Sequence, residues 1–318
     1  IMGGVWRFGA SKVVTPEGHA PWGPPFPNAH FADCIHRFHW LRDVAGQGDT
    51  GVSRARALCV SWVDRYGKWE PFAWRVAVAA DRLINLLSAG PWLLGGLEPQ
   101  AREDMLDALA RHARHLHLSG DDEPEPRARF RIAIGLTMAG AAMDLPDLTE
   151  TGLAALEREC AVQILADGGH VSRSPEALAE AMIDLSAVED LMLRLGLNAP
   201  VFLTKQLARM APMLSFFTLP GGSLPPANGG GEGAAGLSAA AMAGHGDVTA
   251  RFSFARLSGF QRIQAEDLTV LMDSGVAPDI QFGGRAHAGV LGVQIADGEE
   301  MLGTACGAKA SMEPGLRE

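Results

Sequence analysis

The chain lacks an excess of basic residues. Its 318 residues include 27 Lys and Arg against 37 Asp and Glu, so the formal net charge is −10. Proteins that bind nucleic acid in general use surplus cations to displace counterions from the phosphates. The composition therefore excludes nucleic acid as a general partner, and a polyanionic partner must be met by a local positive pocket.

A long hydrophobic run is also missing. The longest uncharged stretch, 210–231, is interrupted by Pro212, Pro220 and the pair Pro225-Pro226, which break a helix. We therefore expect no transmembrane segment. No signal peptide is visible after Ile1, and an opening isoleucine is typical of a truncated start.

Cysteine is scarce, and its spacing excludes two further classes of protein. The four cysteines are Cys34, Cys59, Cys160 and Cys306. Without a CxxC pair they predict neither a zinc knuckle nor a disulfide framework, and we expect buried or half-buried thiols. The GxSxG, HExxH, P-loop and GxGxxG motifs are absent too. We expect no cofactor and no metal ion.

Helical periodicity fills most of the chain. Helices are predicted at 29–45, 52–66, 74–89, 99–118, 127–143, 150–165, 175–195 and 200–217. Helices that short turns join pack as antiparallel neighbours, which leaves a bundle, a solenoid or an α/α toroid. The tryptophans along these helices are expected in the core.

Strand patterns replace helices beyond about 250. Strands are predicted at 260–265, 268–273, 290–296 and 299–305, with a hairpin turn at Asp297-Gly298 between the last two. The predicted domains are an extended segment 1–28, a helical domain 29–218, a Gly/Pro-rich loop or linker 219–249, and a β domain 250–318 that looks incomplete.

The loop Asp167–Pro175 is the first candidate site. It presents His170 and Arg173 just before a helix for which Ser174 is a suitable N-cap. Because a helix N-terminus favours an anion, the loop is typical of a binding cleft. A capped turn with a solvated histidine is the alternative interpretation.

Other basic and titratable groups add to the candidates. Arg127 and Arg131 share a face of the fifth helix, and His287 enters the aliphatic strand of the β region. The alternatives are a solvated basic turn and an edge histidine. The histidine pairs His36/His39 and His112/His115 have no Cys or Glu that completes a metal site, and solvated helix ends often carry such residues.

These segments together resemble the heparinase II/III-like family of polysaccharide lyases. The most specific motif is Asp-Gly-Gly-His-x-x-Arg-Ser-Pro at 167–175, followed by Ala-His-Ala-Gly at 286–289. Supporting segments are Trp6–Gly9, Trp22–Trp40, Trp74-Arg75, Arg82–Asn85 and Asp273–Gly275. The resemblance implies an alginate lyase-like α/α toroid followed by the start of an antiparallel β-sandwich, in the periplasm or cell envelope, with the cytoplasm left open.

The resemblance also implies a carbon–oxygen lyase that cleaves uronic-acid polysaccharides, heparan sulfate-like or alginate-like, by β-elimination. His170 and His287 would then transfer protons, and Arg173, Arg127 and Arg131 would bind the anionic polysaccharide. The reaction needs a neutralised carboxylate, a base and an acid.

The sequence departs from the family pattern at three places. A tyrosine usually follows the Ser-Pro of the motif, where this chain has Ala177, and Tyr66 is its only tyrosine. The usual Asn-His falls near Arg127-Ala128, and the carboxylate of the usual His-x-Asp is lost after His287. These departures leave a non-catalytic saccharide-binding protein as the alternative. A toroid glycoside hydrolase, with carboxylates chosen from Asp167, Glu176 and Glu180, is a weaker third.

Overall fold

A computed structural model describes residues 3–16, 18–23, 25–231, 233, 236–283, 286 and 291–305. The chain divides into two compact units, Ile1–Leu156 and Glu157–Glu318. The domain boundaries predicted from the sequence were drawn where helices give way to strands, not by compactness. They therefore remain a prediction.

The first unit begins with a β-hairpin, and helices follow. Its elements are β1 (Val5–Phe8), β2 (Ser11–Val14), α1 (Ala29–Arg37), α2 (Leu41–Ala45), α3 (Gly48–Tyr66), α4 (Val76–Leu94), α5 (Pro99–Ser119) and α6 (Pro126–Ala142), and α7 (Pro146–Gln163) starts within it. The hairpin lies within the segment 1–28 that was predicted to be extended. Proline starts α5 and α6, where its missing N–H costs nothing.

Helix α4 lies at the centre of this unit and contacts α1, α3, α5 and α6. The surrounding core contains the buried indoles of Trp6, Trp22, Trp40, Trp62 and Trp74. The core prediction is wrong for Trp69, which is 66% exposed because it lies in the turn between α3 and α4. Trp92 is half-buried.

The predicted helix 29–45 is wrong as a single element. It breaks at Phe38, whose backbone adopts the left-handed conformation with φ of 64°. The ring of Phe38 is buried and stacks on Trp22. Tertiary packing has overridden a local helical pattern here, since the left-handed region is unfavourable for a residue of this size.

The second unit carries the remaining helices and the larger sheet. Its elements are α8 (Pro175–Arg194), α9 (Val201–Phe217), α10 (Leu237–Met242), β3 (Phe254–Ala255), β4 (Phe260–Ala265), β5 (Leu268–Asp273), β6 (Val293–Asp297) and β7 (Glu300–Gly303). The five strands pair antiparallel in sequence order. The predicted hairpin is confirmed, with a positive φ of 53° at Gly298.

Alternation along the strands separates two faces of this sheet. Thr269, Leu271 and Asp273 of β5 are buried, and their neighbours Val270 and Met272 are half-buried. The Gly/Pro-rich stretch packs with this unit as well. Leu224 and Asn228 are buried, and α10 forms within the stretch 219–249 that was predicted to be a loop or linker.

Two predictions from composition can be compared with the structure. Cys59 and Cys160 are buried and Cys34 is half-buried, as expected, whereas Cys306 lies outside the described residues. None of the described helices is long and apolar enough to cross a bilayer.

Candidate functional site

Two side chains of α4 fix the end of α1. Arg82 donates an Nη1–H to the carbonyl of His36 at 2.8 Å, and Asn85 donates from Nδ2 to the carbonyl of Arg37 at 2.9 Å. Donors of this kind satisfy the carbonyls that a helix leaves unpaired at its C-terminus. The chain therefore turns at Phe38 and places His39 at the surface.

The carboxylate of Asp81, also on α4, collects three cationic or titratable groups. Arg131 of α6 donates its Nε–H to Oδ1 at 2.6 Å, Arg37 of α1 pairs with Oδ2, and Nε2 of His39 lies 3.6 Å from Oδ2. Burial by itself would raise the pKa of Asp81. Its contacts with His39, Arg131 and Arg37 outweigh burial and hold the pKa well below its usual range.

A second ion pair extends this group along the surface. Arg75 pairs with Asp33, and Nη2 of Arg37 lies 3.9 Å from Oδ2 of the same aspartate. The side chain of Arg75 is 46% exposed, and its guanidinium lies over the ring of Phe72, 5.4 Å from the ring centroid. We call Arg37, His39, Arg75 and Arg131, with Asp33 and Asp81, the cation cluster.

A buried arginine backs the cation cluster. Arg82 is fully buried, lies over the ring of Trp62 at 4.1 Å and donates its Nε–H to Nε2 of His112 at 2.8 Å. Burial lowers the pKa of Arg82 to about 9, so it stays charged at neutral pH. With Arg82 counted, the group contains four arginines and two aspartates. This is a local excess of positive charge in an acidic chain.

The histidines behind the cluster stay neutral. Burial, with Arg82 nearby, lowers the pKa of His36 to about 3 and that of His112 well below its ordinary value. The expectation of a solvated histidine is therefore wrong for His112, which faces the core from α5. Among the described residues, no group of three or more His, Cys, Asp or Glu could hold a metal ion.

The second unit contains the loop that the sequence singled out. Asp167 accepts hydrogen bonds from the backbone N–H groups of Leu257 and Ser258 at 2.9 and 2.7 Å, so its carboxylate closes the loop onto the segment after β3. Nδ1 of His170 accepts the N–H of Ser172 at 3.1 Å. Because a backbone N–H only donates, the neutral ring of His170 carries its proton on Nε2.

Arg173 lies in the interior of the second unit. It pairs with Asp273, donates its Nε–H to the carbonyl of Ser258 at 2.8 Å and also reaches the carbonyl of Val276. Asn228 donates to the other oxygen of Asp273 at 3.1 Å. A glycan carboxylate could bind this guanidinium only by displacing Asp273. The binding role of Arg173 stays a prediction, and the geometry gives the side chain a structural one.

The other candidates fall in different places. Arg131 belongs to the cation cluster, Arg127 is half-buried in the first turn of α6, and His287 lies outside the described residues. The predicted N-cap is confirmed, since Oγ of Ser174 accepts the N–H of Ala177 at 3.3 Å.

Sequence reasoning missed the carboxylate around which the cluster forms. Asp81 and Arg82 stand together in α4, a helix whose other buried residues are apolar. That charged pair within an apolar helix was the available signal. The sequence pointed to His39 only as one of two histidines considered for a metal site. Its partner Asp81 lies 42 positions away in the sequence, so their pairing could not be seen there.

Solved structures of other proteins share the fold of this chain. No family model matches the chain. It is 31% identical over 293 residues to FtsZ-localized protein C of Caulobacter vibrioides (strain NA1000 / CB15N), covering 90% of this chain and 50% of that protein. A crystal structure of heparinase III matches with a TM-score of 0.68 and 14% identity, over 90% of this chain and 52% of that one.

A mutant of the heparan sulfate lyase HepC from Pedobacter heparinus matches with a TM-score of 0.62 and 16% identity, over 99% of this chain and 56% of that one. The chain thus spans about half the length of these relatives. The resemblance to the heparinase fold is confirmed, and so is the fold class, a helical toroid followed by an antiparallel β domain.

Proposed function

We propose that this chain binds a uronic-acid polysaccharide, heparan sulfate-like or alginate-like, and cleaves it by β-elimination. The observation that carries the proposal is the cation cluster, which gathers positive charge on a lyase-like fold in a chain of net charge −10. A polyanion needs such a local positive surface when the protein as a whole is acidic.

The cation cluster can meet the first requirement of β-elimination, which is to neutralise the uronate carboxylate. A uronate carboxylate bound by arginine loses part of its negative charge, so the proton on the adjacent carbon becomes more acidic. The side chain of Arg75 is the most exposed of the arginines in the cation cluster, and it already binds the carboxylate of Asp33. Arg37 and Arg131 support it, and Arg127 stands one helical turn before Arg131.

The proton transfers are the second need. His170 and His287 remain the residues that the resemblance assigns to them. In its neutral form His170 has its proton on Nε2, which makes that nitrogen a hydrogen-bond donor. A uronic-acid polysaccharide as substrate agrees with a location of the protein in the periplasm or cell envelope. Cell fractionation with an antibody to this chain tests this location.

The test is incubation with heparin, heparan sulfate, chondroitin sulfate, hyaluronan and alginate while the ultraviolet absorbance of the unsaturated product is followed. We expect absorbance to rise with at least one of them. A protein without product on any member of the panel contradicts cleavage of those glycans. A rise in reducing ends without a rise in absorbance indicates a hydrolase.

A second candidate function is recognition without cleavage. Ala177 occupies the place where the family has tyrosine, and the relative with the higher sequence identity is named for its localisation with FtsZ rather than for an activity. We would then expect a complex with a uronate oligosaccharide but no product, or co-sedimentation with FtsZ polymers. Product formation by the purified chain decides against this candidate.

A further inference from the structure

His39 is an exposed imidazole backed by a buried carboxylate. Its side chain is 48% exposed, whereas that of Asp81 is 6% exposed, and Nε2 of His39 lies 3.6 Å from Oδ2 of Asp81. This separation is slightly longer than a hydrogen bond, as is common for catalytic pairs in a structure without substrate. An exposed histidine in front of a buried acid is the arrangement of a proton-transfer pair.

Both members of the pair are held from behind. Arg131 and Arg37 bind the carboxylate of Asp81, so it cannot turn away from His39 without losing two ion pairs. The backbone of His39 is fixed too, because Arg82 and Asn85 bind the last carbonyls of α1 just before it. Rigid support of this kind is what a reacting group requires.

The charges around His39 are mixed. Asp81 of α4, which His39 approaches, also binds Arg131 of α6 and Arg37 of α1, and Arg37 lies 3.9 Å from Asp33. Asp81 is the nearest acid, and with Nε2–H directed at its carboxylate, Nδ1 is the nitrogen that accepts a proton.

We propose that His39, oriented by Asp81, is a proton-transfer residue of the elimination. This inference rests on the proposed function. Nδ1 takes the proton from the carbon that bears the uronate carboxylate, and the C–H electron pair becomes the new C=C bond. The glycosidic C–O bond breaks, its electron pair stays on the oxygen, and the imidazolium returns the proton to that oxygen.

The test compares His39→Gln with His117→Gln, a control that removes an exposed histidine from the end of α5. Each variant is assayed for turnover of the glycan that the wild-type chain cleaves, for binding of its oligosaccharide and for thermal unfolding. We expect His39→Gln to lose about 100- to 10,000-fold in kcat. Its binding should stay within about threefold and its unfolding temperature unchanged, because the replaced ring is half exposed.

The dependence of rate on pH provides a readout that a structural role would not move. The acidic limb of the wild-type profile, where a base becomes protonated, should disappear in the residual activity of His39→Gln and persist in the control. If His39→Gln retains wild-type turnover, the assignment of His39 as a proton-transfer residue is wrong, while the proposed function still holds. A wild-type chain without turnover on the whole panel removes the cleavage itself and this assignment with it.

Discussion

Arg131 of α6 donates its Nε–H to the carboxylate of Asp81 on α4 at 2.6 Å, across 50 positions of sequence. This contact joins α6, whose arginines were predicted from the sequence to be binding residues, to a carboxylate that the sequence analysis did not identify. Arg37 and His39 lie at the same carboxylate, so the proposed sugar-binding surface and the proposed proton-transfer pair share one buried aspartate.

Removal of that aspartate should destabilise the first unit. We expect Asp81→Asn to lower the free energy of unfolding by about 3 kcal/mol, because Arg37 and Arg131 would then face each other without a carboxylate between them. Urea denaturation measures the loss. Asp43→Asn is the control, since Asp43 forms an exposed pair with Arg42 that contributes at most about 1 kcal/mol. Equal stability of the two variants would show that the buried pairs carry little weight.

Arg173 should behave as a structural residue of the second unit. Lysine offers a single point charge, which cannot replace the guanidinium bonds to Asp273, Ser258 and Val276 at once. We expect Arg173→Lys to lower the free energy of unfolding by about 3 kcal/mol. Arg194→Lys in an exposed pair should change it by less than about 1 kcal/mol. A stable Arg173→Lys protein that has lost glycan binding would contradict this role and favour the predicted one.

Stability should fall in mild acid. The folded-state pKa of His36 is lowered to about 3 from an ordinary value of 6.5, so the unfolded chain binds a proton between these values and the folded chain does not. Stability that is complete above pH 6.5 is therefore lost as the pH falls towards 3, and His112 adds to the loss in the same direction. Thermal unfolding from pH 8 to pH 4 measures the slope.

A variant isolates the contribution of these histidines to the pH dependence. His112→Asn removes one titrating group while keeping a side chain that can hydrogen-bond to Arg82. Its unfolding temperature should be lower at pH 8 but should fall less steeply on acidification than that of the wild-type chain. An unchanged slope would mean that carboxylates alone account for acid unfolding.

The sequence predicted the helices well where local signals agreed. Pro99, Pro126 and Pro175 stand at the starts of α5, α6 and α8, at or within one residue of the predicted starts 99, 127 and 175. The hairpin at Asp297-Gly298 followed from its turn residues. The break at Phe38 was unpredictable for a physical reason. It depends on Arg82 and Asn85, which come more than 40 residues later and bind the end of α1 only in the folded chain.

The candidate site was predicted only in part. A histidine and an arginine next to a helix start are visible in the sequence at His170 and Arg173, but whether a guanidinium faces solvent or a buried acid depends on Asp273, 100 positions later. Arg131 was identified as basic without the partner that fixes it. The cation cluster combines residues of α1, α4 and α6, and no local pattern predicts such a meeting.

The cation cluster is proposed to bind a uronate carboxylate, and titration calorimetry with a uronate oligosaccharide measures this binding. Arg75→Gln is compared with Arg194→Gln, which removes the same charge from an exposed position on α8. Loss of a charge-assisted hydrogen bond, about 1.5–3 kcal/mol, should weaken binding about 10- to 100-fold in Arg75→Gln alone. If the two variants and the wild-type chain bind the oligosaccharide with equal affinity, the cation cluster does not bind its carboxylate.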